Sequence, residues 1–114
     1  MALTITNISA DYSTATQITP ADVADIAQLG FKAIMNNRPD AEGGAEQATS
    51  AAIEAAAMAH GLQYYHIPVV PNQIQPSQVA AFKLAWDAAN KPMLGFCRSG
   101  NRAANMLALA QASS

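Results

Sequence analysis

The feature that most constrains the fold is the alternation of short apolar segments with longer segments of helical pattern. The helical pattern is clear in residues 76–90, where Val79, Phe82 and Trp86 recur every three or four positions and form one apolar face. Short apolar runs bounded by turn residues indicate strands instead. The pattern predicts strands over residues 12–15, 31–35, 64–70 and 93–96, and helices over residues 20–29, 45–60, 76–90 and about 101–110.

This alternation predicts an α/β fold, because neighbouring parallel strands need crossover connections that helices usually provide. The chain has 114 residues, 51% of them hydrophobic, which is enough for one modest core. We therefore expect a single domain over residues 1–114, with a parallel sheet of about four strands flanked by helices on both faces. In such sheets the site lies at the carboxyl ends of the strands. Residues 38–40, 71–73 and 97–102 should meet there.

Charge and composition argue against several classes of partner. The formal net charge is −2, and the six lysines and arginines are scattered, so we expect no nucleic-acid partner. No apolar run reaches the roughly 18 residues of a membrane span, and the first residues lack the order of a signal peptide. These observations predict a cytoplasmic protein without a membrane partner. A single cysteine excludes an internal disulfide and a cysteine-rich zinc site, and we expect neither metal nor cofactor.

The candidate chemistry lies in the loop that runs from Cys97 to Arg102, between the last predicted strand and the last predicted helix. Backbone N–H groups at a helix start and nearby guanidinium groups stabilise a thiolate, so Cys97 is the candidate nucleophile. Arg102 can bind two oxygens of an anion at once, while Arg98 helps to keep the thiolate charged. Small residues let the backbone curl and direct its N–H groups inward. The predicted anion-binding residues are Arg98, Ser99, Gly100, Asn101 and Arg102.

Three residues outside this loop also invite a functional reading. Asp40 is the candidate general acid, or a group that orients Arg102, and Arg38 is the candidate partner that forms an ion pair with Asp40 behind the site. The alternative is a solvated turn in which Asp40 caps its own backbone. His66 lies within a predicted strand beside two tyrosines, so we expect a hydrogen-bonded core or groove residue rather than a base for Cys97.

Residues 36–40, 65–69 and 96–102 together resemble the bacterial phosphatase-like domain that occurs alone or fused to beta-lactamase-like sulfur dioxygenases. The resemblance covers nearly the whole chain. It implies the fold of cysteine-dependent dual-specificity phosphatases, with Cys97 and Arg102 in the catalytic loop, and it implies a sulfur dioxygenase as a candidate partner.

The chain departs from the tyrosine-phosphatase pattern at two positions that matter for chemistry. Four residues separate Cys97 from Arg102, where tyrosine phosphatases have five, and Phe96 stands where they have histidine. The shorter loop is similar to that of rhodanese sulfurtransferases. Similar phosphatases carry a general acid in the loop that corresponds to residues 71–73, and this chain has none there. Sulfur transfer from thiosulfate expels sulfite, which needs no proton.

These observations leave three functional hypotheses for one anion-binding loop. The first is a rhodanese-type sulfurtransferase that takes sulfur from thiosulfate or a persulfide, holds it as a persulfide on Cys97, and passes it to an acceptor thiol. The alternative is a cysteine-dependent phosphatase that hydrolyses phosphate monoesters through a cysteinyl-phosphate. The third is a binding module that captures a small anion without turnover.

Overall fold

The computed structural model describes residues 3–112; residues 1–2 and 113–114 of the expected domain lie outside this range. The described chain contains five strands and four α-helices, with a short 3₁₀ turn at Pro20–Asp22 before the first helix. The strands are β1 Ile5–Asn7, β2 Tyr12–Ala15, β3 Ala33–Asn36, β4 Gln63–His66 and β5 Met93–Phe96. The helices are α1 Val23–Gln28, α2 Ser50–Ala59, α3 Pro76–Ala88 and α4 Asn101–Ala112.

The strands form one sheet in the order β1-β2-β5-β3-β4. Strands β2, β5, β3 and β4 are parallel, and β1 pairs antiparallel with β2 at the edge. The predicted α/β fold with a parallel sheet of about four strands is therefore confirmed for β2, β5, β3 and β4. The prediction missed the antiparallel edge strand β1: Leu3 and Ile5 alternate there with Thr4 and Thr6 and pack against the core, but a strand of three residues gives a weak signal.

Alternating side chains of the central strands point into two separate cores, one on each face of the sheet. From β5, Met93 packs into the core beneath α3 and α4, which contains Phe82 and Met106. The next residue, Leu94, packs into the core beneath α1 and α2, which contains Ile53. This period of two places helices on both faces, as the sequence predicts.

Two predicted boundaries are wrong by four residues or more, each for a local reason. Helix α2 begins at Ser50 instead of residue 45, because Thr49 is its N-cap and its Oγ1 accepts a hydrogen bond from the backbone N–H of Ala52 at 3.2 Å. Strand β4 ends at His66 instead of residue 70, because the register changes after it: Ile67 N–H donates to the Asn36 carbonyl at 2.9 Å, but Val69 N–H donates to the very next carbonyl, that of Asn37, at 3.1 Å.

The register of the sheet brings four strand ends to one edge. Phe96 at the end of β5 pairs with Ala15 of β2 and with Asn36 of β3, and Asn36 pairs with His66 of β4. The segments after these strands therefore start side by side, and the backbone N–H of Asn37 donates to the Phe96 carbonyl at 2.9 Å. In the part of the chain that the structure describes, no helix is long and apolar enough to cross a membrane.

Candidate active site

Cys97 lies directly after β5, at the carboxyl edge of the sheet, and its side chain is fully buried. The backbone N–H of Gly100 donates to Cys97 Sγ at 3.0 Å. This contact requires the loop to turn back on itself, and Gly100 makes the turn with a φ of +93° in the left-handed region. The predicted curled loop is therefore present, and its N–H dipole lies where it stabilises a negative sulfur.

Arg102 is held in place by Glu42, a residue that is not among the predicted site residues. Arg102 Nη1 donates to Glu42 Oε1 at 2.7 Å, and Nη2 donates to Glu42 Oε2 at 2.8 Å. Nη1 also donates to the Val69 carbonyl at 2.8 Å. An arginine has five N–H donors, so Nε–H and one hydrogen of Nη2 remain on a single edge of the guanidinium. The two N–H groups on that edge can donate to two oxygens of one anion.

Arg38 also donates a hydrogen bond to the Glu42 carboxylate. Its Nε donates to Glu42 Oε2 at 2.8 Å, and its Nη1 donates to Gln17 Oε1 at 3.0 Å. The side chain of Arg38 is only 9% exposed, so this arrangement is held by packing as well as by charge. The expected role of Arg38 behind the site is thus geometrically supported, but it acts on Arg102 through Glu42.

The charges of this group shift the pKa values of its members. The hydrogen bond from Arg102, with a further one from Arg38, lowers the pKa of Glu42 to about 2. The same bond to Glu42 raises the pKa of Arg102, and the nearby Cys97 sulfur raises it further. Glu42 is therefore a carboxylate at neutral pH, and it serves as an acceptor rather than a proton donor.

Asp40 takes a different place from the one expected. Its Oδ1 accepts the backbone N–H of Ser50 at 2.8 Å, so Asp40 caps the first turn of α2. The expected ion pair between Arg38 and Asp40 is not formed; the carboxylate that orients Arg102 is Glu42, two residues later. Glu42 lies four residues after Arg38, a spacing that indicates a side-chain contact only within a helix. The sequence predicts no helix at these residues, so the spacing did not reveal the contact.

The segment after β4 forms a tight turn that contains no acidic side chain. Gln73 N–H donates to the Val70 carbonyl at 3.1 Å, with Pro71 and Asn72 at the two central positions. Asn72 has a φ of +61°, as the third position of a type II turn requires. The turn brings Pro71 and Asn72 to the edge of the site, and neither has a proton to give to a leaving group.

His66 is a hydrogen-bonded residue, as the sequence predicts. Its Nε2 lies 3.0 Å from the Arg38 carbonyl, which gives this ring a hydrogen-bond partner at the end of β4. A histidine in this contact supports the backbone that carries Arg38, and it is the kind of groove residue predicted.

Two adjoining clefts open over the loop, of about 590 and 560 Å³. Arg98, Arg102 and Pro71 line both of them. The first cleft also contains Ser99 and Asn101, whereas the second contains Arg38 and Glu42. Of the predicted site residues, those that line the clefts are therefore Arg38, Arg98, Ser99, Asn101 and Arg102. Cys97, Gly100 and Asp40 are not among the lining residues. Another cleft, of about 530 Å³ between α3 and α4, is lined mainly by apolar side chains.

The fold and this loop define a cysteine-phosphatase-like domain, and similarity to known proteins specifies it further. Residues 4–114 match the sequence model of the family described as beta-lactamase hydrolase-like protein, phosphatase-like domain, and the chain belongs to that family. The beta-lactamase hydrolase-like protein of Xylella fastidiosa is 34% identical over 87 residues, which are 76% of this chain and 20% of the relative. The chain thus spans about a fifth of the length of the curated relatives that it matches.

Solved structures show the same architecture. A protein from Neisseria meningitidis Z2491, described as a candidate phosphatase, has a TM-score of 0.81 and 34% identity, with 90% of this chain and 72% of that chain covered. A cysteine-to-serine variant of TpbA from P. aeruginosa, solved in complex with phosphotyrosine, has a TM-score of 0.64 and 15% identity. The alignment covers 90% of this chain and 58% of the TpbA chain, and a similarity at this level of identity shows only that the fold is shared.

Proposed function

We propose that this chain is a cysteine-dependent phosphatase that hydrolyses phosphate monoesters through a cysteinyl-phosphate on Cys97. The observation that carries the proposal is the pair of hydrogen bonds by which Glu42 fixes the guanidinium of Arg102. Glu42 and Val69 use three of the five N–H donors of Arg102 and leave one two-donor edge for an anion beside the sulfur. This is the arrangement needed to bind two equatorial oxygens of a phosphoryl group in transfer.

In the first step the Cys97 thiolate attacks phosphorus, and the bond from phosphorus to the leaving oxygen breaks. The free edge of Arg102 and the backbone N–H groups of the loop stabilise the charge on the transferring oxygens. Glu42 and Arg38 hold the guanidinium in position, so that it does not reorganise during the step.

In the second step water attacks the cysteinyl-phosphate. The S–P bond breaks, the sulfur leaves as a thiolate, and both protons of the water go with the phosphate that is released. The thiolate is a good leaving group and needs no proton, so this step returns the loop to its starting state.

Phosphate chemistry takes precedence over the sulfur transfer that the loop length favours. The family is described as phosphatase-like, and the Neisseria protein at 34% identity is described as a candidate phosphatase. Neither similarity supports a rhodanese activity. The spacing of four residues between Cys97 and Arg102 resembles that of rhodaneses and is the basis of the sulfurtransferase alternative.

The test compares the wild type with Cys97→Ser and Arg102→Lys on 4-nitrophenyl phosphate and on thiosulfate with cyanide. We expect phosphate release that disappears in Cys97→Ser and falls at least about 100-fold in Arg102→Lys, because an ammonium cannot supply the planar two-donor edge. Circular dichroism of each variant controls for folding.

The proposal also predicts the mass of the trapped intermediate. Rapid acid quenching during turnover should show intact protein with one added phosphoryl group, which is absent from Cys97→Ser. Cys97-dependent turnover of thiosulfate with one added sulfur, and no phosphate release, would establish the sulfurtransferase instead. Phosphate binding without turnover of either substrate would establish the binding module.

A further inference from the structure

The described site offers no group that can protonate a leaving oxygen. Glu42 is the one carboxylic acid among the residues that line the two clefts, and both of its oxygens accept from arginines. Asp40 is engaged at the start of α2. The turn at residues 70–73 presents a proline and an asparagine to the site. A substrate of this site must therefore have a leaving group that departs without a proton.

Leaving groups differ widely in this respect. An alkoxide leaves very poorly without an acid, and a phenoxide, with a conjugate acid of pKa about 10, leaves poorly. A phosphate group has a second pKa of about 6, so it departs as a stable anion at neutral pH. General acid catalysis is worth roughly 10²- to 10⁴-fold, and a phosphate leaving group makes that contribution unnecessary.

A second observation concerns the charge of the clefts. Their lining residues include three arginines and one glutamate, a balance of two positive charges, although the whole chain has a net charge of −2. Arg38 and Arg102 share Glu42, whereas the side chain of Arg98 is exposed and has no hydrogen bond or ion pair among the described residues. Arg98 lines both clefts together with Arg102, so an unpaired cation lies in the same clefts as the arginine that would bind the transferred phosphoryl group.

We propose that the preferred substrate is a phosphoric anhydride, with its terminal phosphoryl group on the Cys97 loop and its next phosphate on Arg98. This inference rests on the proposed phosphatase function and names its substrate class. The two positive charges of the clefts match a substrate with charge on both phosphates, whereas a simple ester has no second phosphate to bind Arg98.

The reaction balances without a further reactant. Cys97 Sγ forms a bond to the terminal phosphorus, and the anhydride P–O bond breaks with its electron pair on the departing phosphate. Arg98 stabilises that anion as it leaves. Water then cleaves the S–P bond, as in the ester reaction, so one water is consumed for each anhydride bond.

The experiment measures kcat/KM on inorganic diphosphate, 4-nitrophenyl phosphate and phosphoserine, with the wild type, Cys97→Ser, Arg98→Ala, Arg98→Lys and Lys32→Ala. Lys32 is an exposed cation just before β3, at the opposite edge of the sheet, so it is a control matched in charge. We expect diphosphate to exceed phosphoserine by about 100-fold or more. The ratio of diphosphate to 4-nitrophenyl phosphate should fall about tenfold in Arg98→Ala, recover in part in Arg98→Lys, and stay unchanged in Lys32→Ala.

Two results overturn the inference while leaving the phosphatase in place. One is Cys97-dependent hydrolysis of phosphoserine as fast as that of diphosphate, which would show that an acid is supplied. The other is an equal loss on both good substrates in Arg98→Ala. The absence of Cys97-dependent release from all three substrates would instead overturn the proposed function, and the inference with it.

Discussion

At the scale of single residues, the site depends on one backbone conformation. Gly100 has a φ of +93°, which L side chains rarely adopt, and this conformation directs its N–H to Cys97 Sγ. A Cβ at Gly100 would lie 3.5 Å from the Ala15 carbonyl oxygen and 3.5 Å from Thr14 Oγ1, an ordinary contact. The constraint is therefore conformational rather than steric.

We predict that Gly100→Ala removes most of the proposed phosphatase activity, because relief of the unfavourable φ turns the N–H away from the sulfur. Gly30→Ala is the matched control: Gly30 has a φ of +98°, and a Cβ there would have no atom within 4 Å. Both variants should lose about 1 kcal/mol of stability in urea unfolding. Only Gly100→Ala should lose kcat/KM, by about tenfold or more. Equal activity in the two variants would contradict the role of this N–H.

At the scale of secondary-structure elements, a tyrosine connects the sheet to the helix that follows the site. Tyr12 on β2 is fully buried, and its hydroxyl donates to the Ala103 carbonyl in the first turn of α4 at 2.8 Å. Burial raises the pKa of Tyr12, so the hydroxyl keeps its proton and stays a donor. Gly95 on β5 makes room for this ring, because a Cβ there would clash with the Tyr12 hydroxyl and lie 2.7 Å from its Cζ.

We predict that Gly95→Ala destabilises the protein by roughly 1–3 kcal/mol through overpacking. Tyr12→Phe alone should cost about 1–2 kcal/mol, because the Ala103 carbonyl loses its donor. The double variant should be more stable than the sum of the two losses, since the absent hydroxyl relieves part of the clash. Free energies of unfolding from urea titrations of the four proteins check this, and strict additivity would show that Gly95 and Tyr12 do not compete for the same space.

At the scale of the whole molecule, the loop after β3 and the start of α4 are joined by charge. Glu42 lies in the loop, Arg102 in α4, and their side chains are 20% and 11% exposed. The pKa of Glu42 in the folded protein is about 2, below its ordinary value of 4.5. A depressed pKa contributes stability that is fully present above about pH 4.5 and is lost as the pH falls through 2.

We predict that Glu42→Gln is less stable than the wild type by roughly 1–2 kcal/mol at pH 7, after allowance for solvent screening. This difference should shrink at pH 3 and vanish near pH 2, where the wild-type carboxylate takes up its proton. Glu46→Gln, at an exposed glutamate in the same loop, is the control and should show no such trend. Urea unfolding at each pH is the measurement, and a difference that does not depend on pH would contradict the assignment.

Much of this architecture could be predicted from the chain because the signals are local. The periods of two and 3.6 place the side chains of β5 and α3 on their proper faces, and the predicted bounds of β2 and β5 are those observed. The candidate nucleophile loop is also local, since Cys97, Gly100 and Arg102 lie within six positions. The short edge strand β1 was missed, because the alternation of Leu3 and Ile5 with two threonines is too short to be decisive, and its pairing with β2 is what fixes it as a strand.

The sequence by itself therefore determined the fold class, the edge of the sheet where the site lies and the residues of its loop, because each depends on spacing along the chain. Only the tertiary structure decided which carboxylate holds Arg102. Asp40 and Glu42 are both acidic residues of the loop after β3, two positions apart. The Asp40 carboxylate accepts a hydrogen bond from the start of α2, whereas the Glu42 carboxylate lies between two arginines. That choice depends on contacts across 60 residues, from Glu42 to Arg102, which no local pattern encodes.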